Sequence, residues 1–370
     1  MRPLQRFVTL TLLAGLLLVS CGELTQTPPS DVEVTQTPGD ELTPIDLQVG
    51  YGVRGSWFEL YFTDPSNPFS SQGTGGVDSL LVEAIDAARL SIDVAAYSIS
   101  LNSVRFALIR AHDRGVTVRV VMESTNMDRS DPQALIAAGI PVIGDGQQGL
   151  MHNKFIVIDR SEVWLGSMNF TDSGAYDDNN NMIRIKSAKI AEDYSQEFKE
   201  MFENDSFGPN IDPQTPNPTV EVKGTRVDVY FSPDDGVLNA LGTLLTQAED
   251  SIYFLAFSFT SNELGTVIRQ KNEAGLDVKG VMDEEQIASN TGTEFDPFRQ
   301  KGVDVLIDGI DGQMHHKVFI VDEKIVAFGS YNFSRSAEES NDENLIIIYN
   351  AEIAGQFVQE FERIRSQAHQ

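Results

Sequence analysis

Two histidine–lysine pairs, His152 with Lys154 and His315 with Lys317, are the residues best suited to chemistry in this chain. Both lie within a longer repeated pattern. The first copy is Met151-His152-Asn153-Lys154-Phe155-Ile156-Val157-Ile158-Asp159, followed by Leu165-Gly166-Ser167-Met168-Asn169-Phe170. The second is Met314-His315-His316-Lys317-Val318-Phe319-Ile320-Val321-Asp322, followed by Phe328-Gly329-Ser330-Tyr331-Asn332-Phe333. Equivalent residues are 163 positions apart throughout. An imidazole can exchange a proton near neutral pH or attack an electrophile, and an ammonium beside it suits an anionic, phosphate-like group. Ser167 and Asn169, with Ser330 and Asn332, would add a hydroxyl and an amide to each pair as phosphate-binding groups.

The elements that must hold these groups follow from the flanking residues. Phe155 to Ile158 and Val318 to Val321 are short β-branched and aromatic runs that predict buried strands. On a strand, residues two apart share a face, so each His projects with its Lys and His316 faces the other way. Asp159 and Asp322 have the opposite parity and end their strands. They read as supports that brace the motif without touching a substrate.

Around the motifs the whole order of elements repeats. Val229-Tyr230-Phe231-Ser232 echoes Leu60-Tyr61-Phe62-Thr63, and Ser251 to Phe259 echoes Ser91 to Ile99. The pattern predicts an α/β protein of two similar αβ(α) sandwich domains, each a mixed β-sheet flanked by helices. Because each half holds only one pair, a pseudo-twofold axis would bring both to one cleft. The expected division is residues 51–205 for the first domain, 206–224 for a proline-bearing linker and 225–370 for the second.

The motif H-x-K-x4-D followed by G-S-x-N, present twice, resembles the phospholipase D superfamily of phosphodiesterases and phosphatidyltransferases. The resemblance covers roughly Trp57 to the C-terminus. It implies a phosphoric-diester hydrolase in which one neutral histidine attacks phosphorus, forming a phosphohistidine, while the other protonates the leaving oxygen. The implied catalytic set is His152, Lys154, Asp159, His315, Lys317, Asp322 and Glu343, with no metal and no cofactor. Glu343, 28 residues after His315, resembles the acidic residue that orients an imidazole in this family. The first half departs from the pattern, with Asn180 at the same offset. The expectation is therefore that Glu343 keeps His315 protonated as the acid, while Asn180 accepts the other ring proton of His152, the nucleophile. The neighbouring run Asp177-Asp178-Asn179-Asn180-Asn181 lacks glycine and regular ligand spacing, so it reads as a solvated turn rather than a metal loop.

Composition narrows the substrate. The chain has 370 residues, 41% of them hydrophobic, and a formal charge of −28. That charge argues against an extended nucleic-acid footprint, which rests on cationic neutralisation of phosphates. It favours a lipid or small phosphodiester, and a zwitterionic headgroup of the phosphatidylcholine type over an anionic surface. A family endonuclease and a cardiolipin synthase-like phosphatidyltransferase are the alternatives. The single cysteine, Cys21, follows Arg2, Arg6 and an apolar run from Phe7 to Val19. This reads as a signal peptide over residues 1–20, and Leu18-Val19-Ser20-Cys21-Gly22 resembles a bacterial lipobox. The expectation is an exported protein held at the cell membrane by lipid on Cys21, with residues 21–50 as a disordered tether. With both motifs in one chain, a monomer is expected.

Overall fold

A computed structural model describes residues 42–147, 149–209 and 212–370. Cys21 and the apolar run before it lie outside the described residues. The described chain forms two mixed sheets with helices against them. The first contains Thr43–Ile45 (β1), Tyr51–Arg54 (β2), Phe58–Phe62 (β3), Ser91–Ala96 (β4), Thr117–Met122 (β5), Val142–Gly144 (β6), Lys154–Ile158 (β7), Glu162–Gly166 (β8) and Asn181–Ile185 (β9). The second contains Thr219–Val222 (β10), Thr225–Ser232 (β11), Ser251–Ala256 (β12), Asp277–Met282 (β13), Asp304–Ile307 (β14), Lys317–Val321 (β15), Ile325–Gly329 (β16) and Glu343–Tyr349 (β17).

The strand orders are β1-β2-β3-β9-β8-β7-β4-β5-β6 and β10-β11-β17-β16-β15-β12-β13-β14. Apart from β1 they are the same order. In each, only the pairs β4–β5–β6 and β12–β13–β14 are parallel. The motif strands β7 and β15 are central and buried along their whole length. Each turns into its partner through two left-handed residues, Asp159-Arg160 (φ 53° and 53°) and Asp322-Glu323 (φ 52° and 53°). Two successive positive φ values make a tight hairpin whose twist matches its strands. Aspartate tolerates this backbone, and its carboxylate does further work. Asp159 accepts the N–H groups of Arg89, Leu90 and Ser91 at 2.6–3.1 Å, and Asp322 accepts those of Glu249, Asp250 and Ser251 at 2.7–3.2 Å. Both motif carboxylates therefore clamp the entry to the adjacent antiparallel strand, β4 or β12, and stay away from the reactive groups.

The burial pattern explains why the halves act as one body. Each half has an outer core between its sheet and its short helices. A third cluster draws on both halves, including Phe62, Phe155, Tyr194, Phe198, Phe231, Phe328 and Phe357. Tyr194 meets Phe231 edge-on at 5.0 Å, and Phe62 meets Phe357 at 5.1 Å. The long helices Ala188–Asn204 and Ala351–Gln367 place their apolar faces in this shared core.

Two segments differ from the sequence expectation. The stretch assigned to a tether holds β1, which pairs with β2, and the stretch assigned to a linker holds β10. In β10 the residues alternate, with Val220 and Val222 buried, and Lys223-Gly224 turn back into β11 with φ of 51° and 83°. That is a two-residue hairpin. The prolines before it masked a period-two pattern only four residues long.

Candidate active site

The two motifs meet at the seam between the halves. Reciprocal backbone contacts put them there: Met151 bridges Asp342, and Asn179 bridges Met314. His152 N–H donates to Asp342 O at 2.9 Å, and His315 N–H to Asn179 O at 3.0 Å. Each contact has a counterpart 163 residues on, as a twofold arrangement of a duplicated unit requires. Behind each motif, a carboxylate receives its first N–H, Glu123 from Met151 (3.1 Å) and Asp283 from Met314 (3.0 Å).

Both imidazoles are gripped by the opposite half. His152 Nδ1 lies 2.7 Å from Glu343 Oε2, and His315 Nδ1 lies 2.9 Å from Asn180 Oδ1. This overturns the expected pairing, which joined Glu343 to His315 and Asn180 to His152. The reason is topological. β9 and β17 begin at the seam, so the residue that follows a motif in sequence crosses to the other motif in space. Linear spacing carries no record of that crossing. Since both Nδ1 atoms are engaged, Nε2 of each ring is the atom available for reaction.

Lys154 Nζ donates to His152 O at 2.8 Å and Lys317 Nζ to His315 O at 2.7 Å. Both lysines are fully buried. Tyr97 packs edge-on to His152 (5.1 Å) beneath Lys154 (5.5 Å), and Phe257 does the same for His315 (4.6 Å) and Lys317 (4.5 Å). Sequence reasoning passed over these two aromatics, although both sit at one position in the aligned Ser91 and Ser251 segments.

Electrostatics make the site ready for an anion. Burial pushes His152 down to about 4, with Glu343 working in the opposite direction and Lys154 adding to the fall. Burial also pulls Lys154 down to about 7, again opposed by Glu343. His315 and Lys317 are pushed well below their usual ranges, first by burial and then by neighbouring cations, Lys317 on His315 and Lys154 on Lys317. Two potential ammonium groups and two imidazoles thus surround a single contacting carboxylate, Glu343. An entering phosphate diester would supply the missing negative charge.

Ser167 and Ser330 are engaged otherwise than expected. Both are fully buried. Ser167 Oγ donates to Asn180 Oδ1 (2.8 Å) and accepts from Asn181 N (3.1 Å). Ser330 Oγ accepts from Asn344 N (3.0 Å) and Asn344 Nδ2 (3.3 Å). Ser167 thereby holds Asn180, which holds His315, whereas Ser330 holds Asn344, the chain neighbour of Glu343. Asn169 and Asn332 differ, since the buried Oδ1 of each has no hydrogen-bond partner and the amide keeps capacity for a ligand. The glycine before each serine has a steric cause, because a Cβ on Gly166 or Gly329 would sit 2.3 Å from the carbonyl oxygen of Asn181 or Asn344.

The run Asp177 to Asn181, expected as a solvated turn, is the first half's side of the seam. Asp178, Asn179, Asn180 and Asn181 are all buried. Short amide side chains can span a close seam and satisfy each other there, which composition alone reads as polarity and hence exposure. His316 faces away from the site, as its parity predicts. Its Nε2 lies 3.0 Å from Glu360 and its Nδ1 2.8 Å from Asn181 Nδ2, so the ring is a strut between the halves. Among the described residues, no group of three or more His, Cys, Asp or Glu side chains is arranged to hold a metal ion.

Comparison with known proteins agrees with this geometry. The family model "Cardiolipin synthase, PLD-like domain" matches twice, at residues 81–202 and 241–365. A phospholipase D of Rickettsia conorii is 31% identical over 139 residues, covering 38% of this chain and 69% of that protein. Mouse mitochondrial cardiolipin hydrolase is 35% identical over 127 residues, covering 34% of this chain and 57% of its own length. Among solved structures, phosphatidylserine synthase of Haemophilus influenzae has the same fold over 87% of this chain and 89% of its own, with a TM-score of 0.64 at 13% identity. Since the family model accounts for both copies of the motif, and the two copies complete each other's site across the seam, the chain belongs to the phospholipase D superfamily.

Proposed function

We propose that the protein hydrolyses phospholipids of the phosphatidylcholine type by a phosphohistidine route, as a member of a family of phosphodiesterases. The observation that carries this reading is the crossed grip on the two imidazoles, each held at Nδ1 with a buried lysine beside it. His152 Nε2 attacks phosphorus and a nitrogen–phosphorus bond forms. The bond from phosphorus to the headgroup oxygen breaks, and that oxygen takes the proton from His315 Nε2. His315 then removes a proton from water, the resulting hydroxide attacks phosphorus, and His152 is released. Lys154, Lys317, Asn169 and Asn332 meet the non-bridging oxygens.

His152 is the nucleophile because its ring is the one beside a carboxylate. Attack leaves His152 as a phosphoimidazolium, and Glu343 at 2.7 Å stabilises that positive ring, as the aspartate does in the serine-protease triad. No metal takes part in these steps. An exported location, with lipid on Cys21 tying the enzyme to a membrane, fits a lipid substrate. Transfer of the phosphatidyl group to an alcohol is the second reading, favoured by the match to the cardiolipin synthase model. It uses the same intermediate with a different acceptor.

Purified protein, assayed in EDTA against phosphatidylcholine, phosphatidylglycerol, bis(p-nitrophenyl) phosphate and plasmid DNA, tests the reading. Release of choline with formation of phosphatidic acid supports it. Turnover of DNA alone, or loss of all turnover in EDTA with rescue by a divalent ion, rejects it. Denaturing the enzyme during turnover of a labelled diester and finding the label on His315 would reverse the two histidine roles.

A further inference from the structure

The two imidazoles have unlike partners, and the difference has a consequence for the reaction. Glu343 brings a charge to His152, whereas Asn180 brings none to His315. Asn180 is fully buried and its side-chain amide cannot turn, because three interactions fix it while its backbone is held separately. Its N–H donates to Thr63 Oγ1 (2.7 Å), and its Nδ2 donates to Gly174 O (2.9 Å). Its Oδ1 accepts the Ser167 hydroxyl (2.8 Å) and faces His315 Nδ1 (2.9 Å). The Ser167 oxygen accepts the N–H of Asn181, which directs its own proton towards Asn180. An acceptor oxygen locked against Nδ1 requires Nδ1 to carry a proton. His315 then takes up or loses its second proton only at Nε2.

We propose that Asn180 is a positioning residue which fixes the Nδ1–H tautomer of His315 and, having no charge of its own, leaves it to the negative charge of the bound substrate's phosphate to favour uptake of a solvent proton at Nε2. This rests on the phosphodiesterase reading and deepens it. The groups around His315 all point the same way. Burial opposes a positive ring first, Lys317 on its own strand, Lys154 and His152 from the first motif and His316 beside it add to that, and Phe257 packs edge-on against it. Glu343, Asp283 and Asp178 exert their fields on Lys317, and the Glu343 carboxylate makes its imidazole contact with His152, away from His315. The substrate phosphate is therefore the one anion that arrives at this ring, and the acid becomes competent when there is something to protonate. Ser167 serves the same end by holding the amide in place.

The test is a spectroscopic titration joined to a pH profile. The full chain, labelled with 15N at its histidine rings and assigned with His152→Gln and His315→Gln variants, is titrated with and without inorganic phosphate. The expected result is an Nδ1–H tautomer for His315 at neutral pH and a titration midpoint that rises when phosphate is added. In Asn180→Asp the midpoint should rise without phosphate, by at least about one pH unit, the usual effect of an adjacent opposite charge. Correspondingly, the alkaline limb of kcat/KM should move to higher pH. An Nε2–H tautomer in the unaltered protein overturns the proposal whatever the variants do. So does an unmoved midpoint in a folded Asn180→Asp, or a shift of the acid limb in place of the alkaline one. If the NMR results hold but no phosphodiester in the panel is turned over, the functional reading fails and the positioning role stands.

Discussion

Replacing Glu343 by Gln isolates the charge at His152 from everything else in the site. The amide oxygen can still accept the Nδ1 proton, so the ring keeps its tautomer and its position. What is lost is the carboxylate's hold on a positive ring. The bond measures 2.7 Å and its acceptor is fully buried, so no water stands in for it. A hydrogen bond to a charged group contributes about 1.5–3 kcal/mol. At about 1.36 kcal/mol per tenfold, that predicts a fall in kcat of roughly 10- to 150-fold. One confounding effect can be designed out. Glu343 also raises Lys154, which burial holds at about 7, so the variant's lysine loses its proton more readily as pH rises. Rates should therefore be compared at pH 6 as well as pH 8, and the deficit should be larger at pH 8. The assay is steady-state hydrolysis of bis(p-nitrophenyl) phosphate, with circular dichroism to confirm folding. A folded variant with less than a threefold loss at pH 6 would refute the assignment of His152 as the ring that becomes positive during attack.

Asp159→Asn should cost stability with little effect on chemistry. It weakens a clamp on three N–H groups, two of them in exposed residues that water can reach, for a loss of about 1 kcal/mol and a melting temperature roughly 1–2 °C lower; a loss of kcat comparable to that of Lys154→Ala would show that the clamp reading is wrong. Cys21→Ser should move the protein from the membrane fraction to the soluble one with unchanged specific activity, and retention in the membrane pellet would disprove lipid attachment there. Asp193 is fully buried, with Oδ1 accepting from Asn217 and Oδ2 unpartnered. Burial raises its carboxyl to about 7. A folded value above the unfolded one gives stability that is full at low pH and is lost as pH rises through about 7. Asp193→Asn should thus compare better with the unaltered protein at pH 8.5 than at pH 5.5, by about 1–2 kcal/mol in chemical denaturation; equal differences at both pH values would count against a raised carboxyl.

Much of this protein was legible from residue types and spacing. The duplication, the two motif strands, the outward turn of His316 and the bracing role of Asp159 and Asp322 all follow from period-two geometry and a constant offset. These are local properties: a strand's two faces and a hairpin's backbone depend on neighbours in sequence. The same locality is why the hairpin of β10 was missed among prolines, since four residues give too short a pattern to outweigh composition.

What tertiary structure alone decided is who partners whom. Glu343 follows His315 by 28 residues yet serves His152, and Asn180 follows His152 by the same distance yet serves His315. In a pseudo-twofold pair of sheets, the strand ends that carry these residues project across the axis, so sequence proximity and spatial contact part company at the one place where function is built. Burial of the Asp178–Asn181 run has the same cause: polar side chains are stable inside a protein when the opposite surface supplies their partners. The opposite surface here is the second copy of the motif, folded against the first by a shared apolar core whose members lie far apart along the chain.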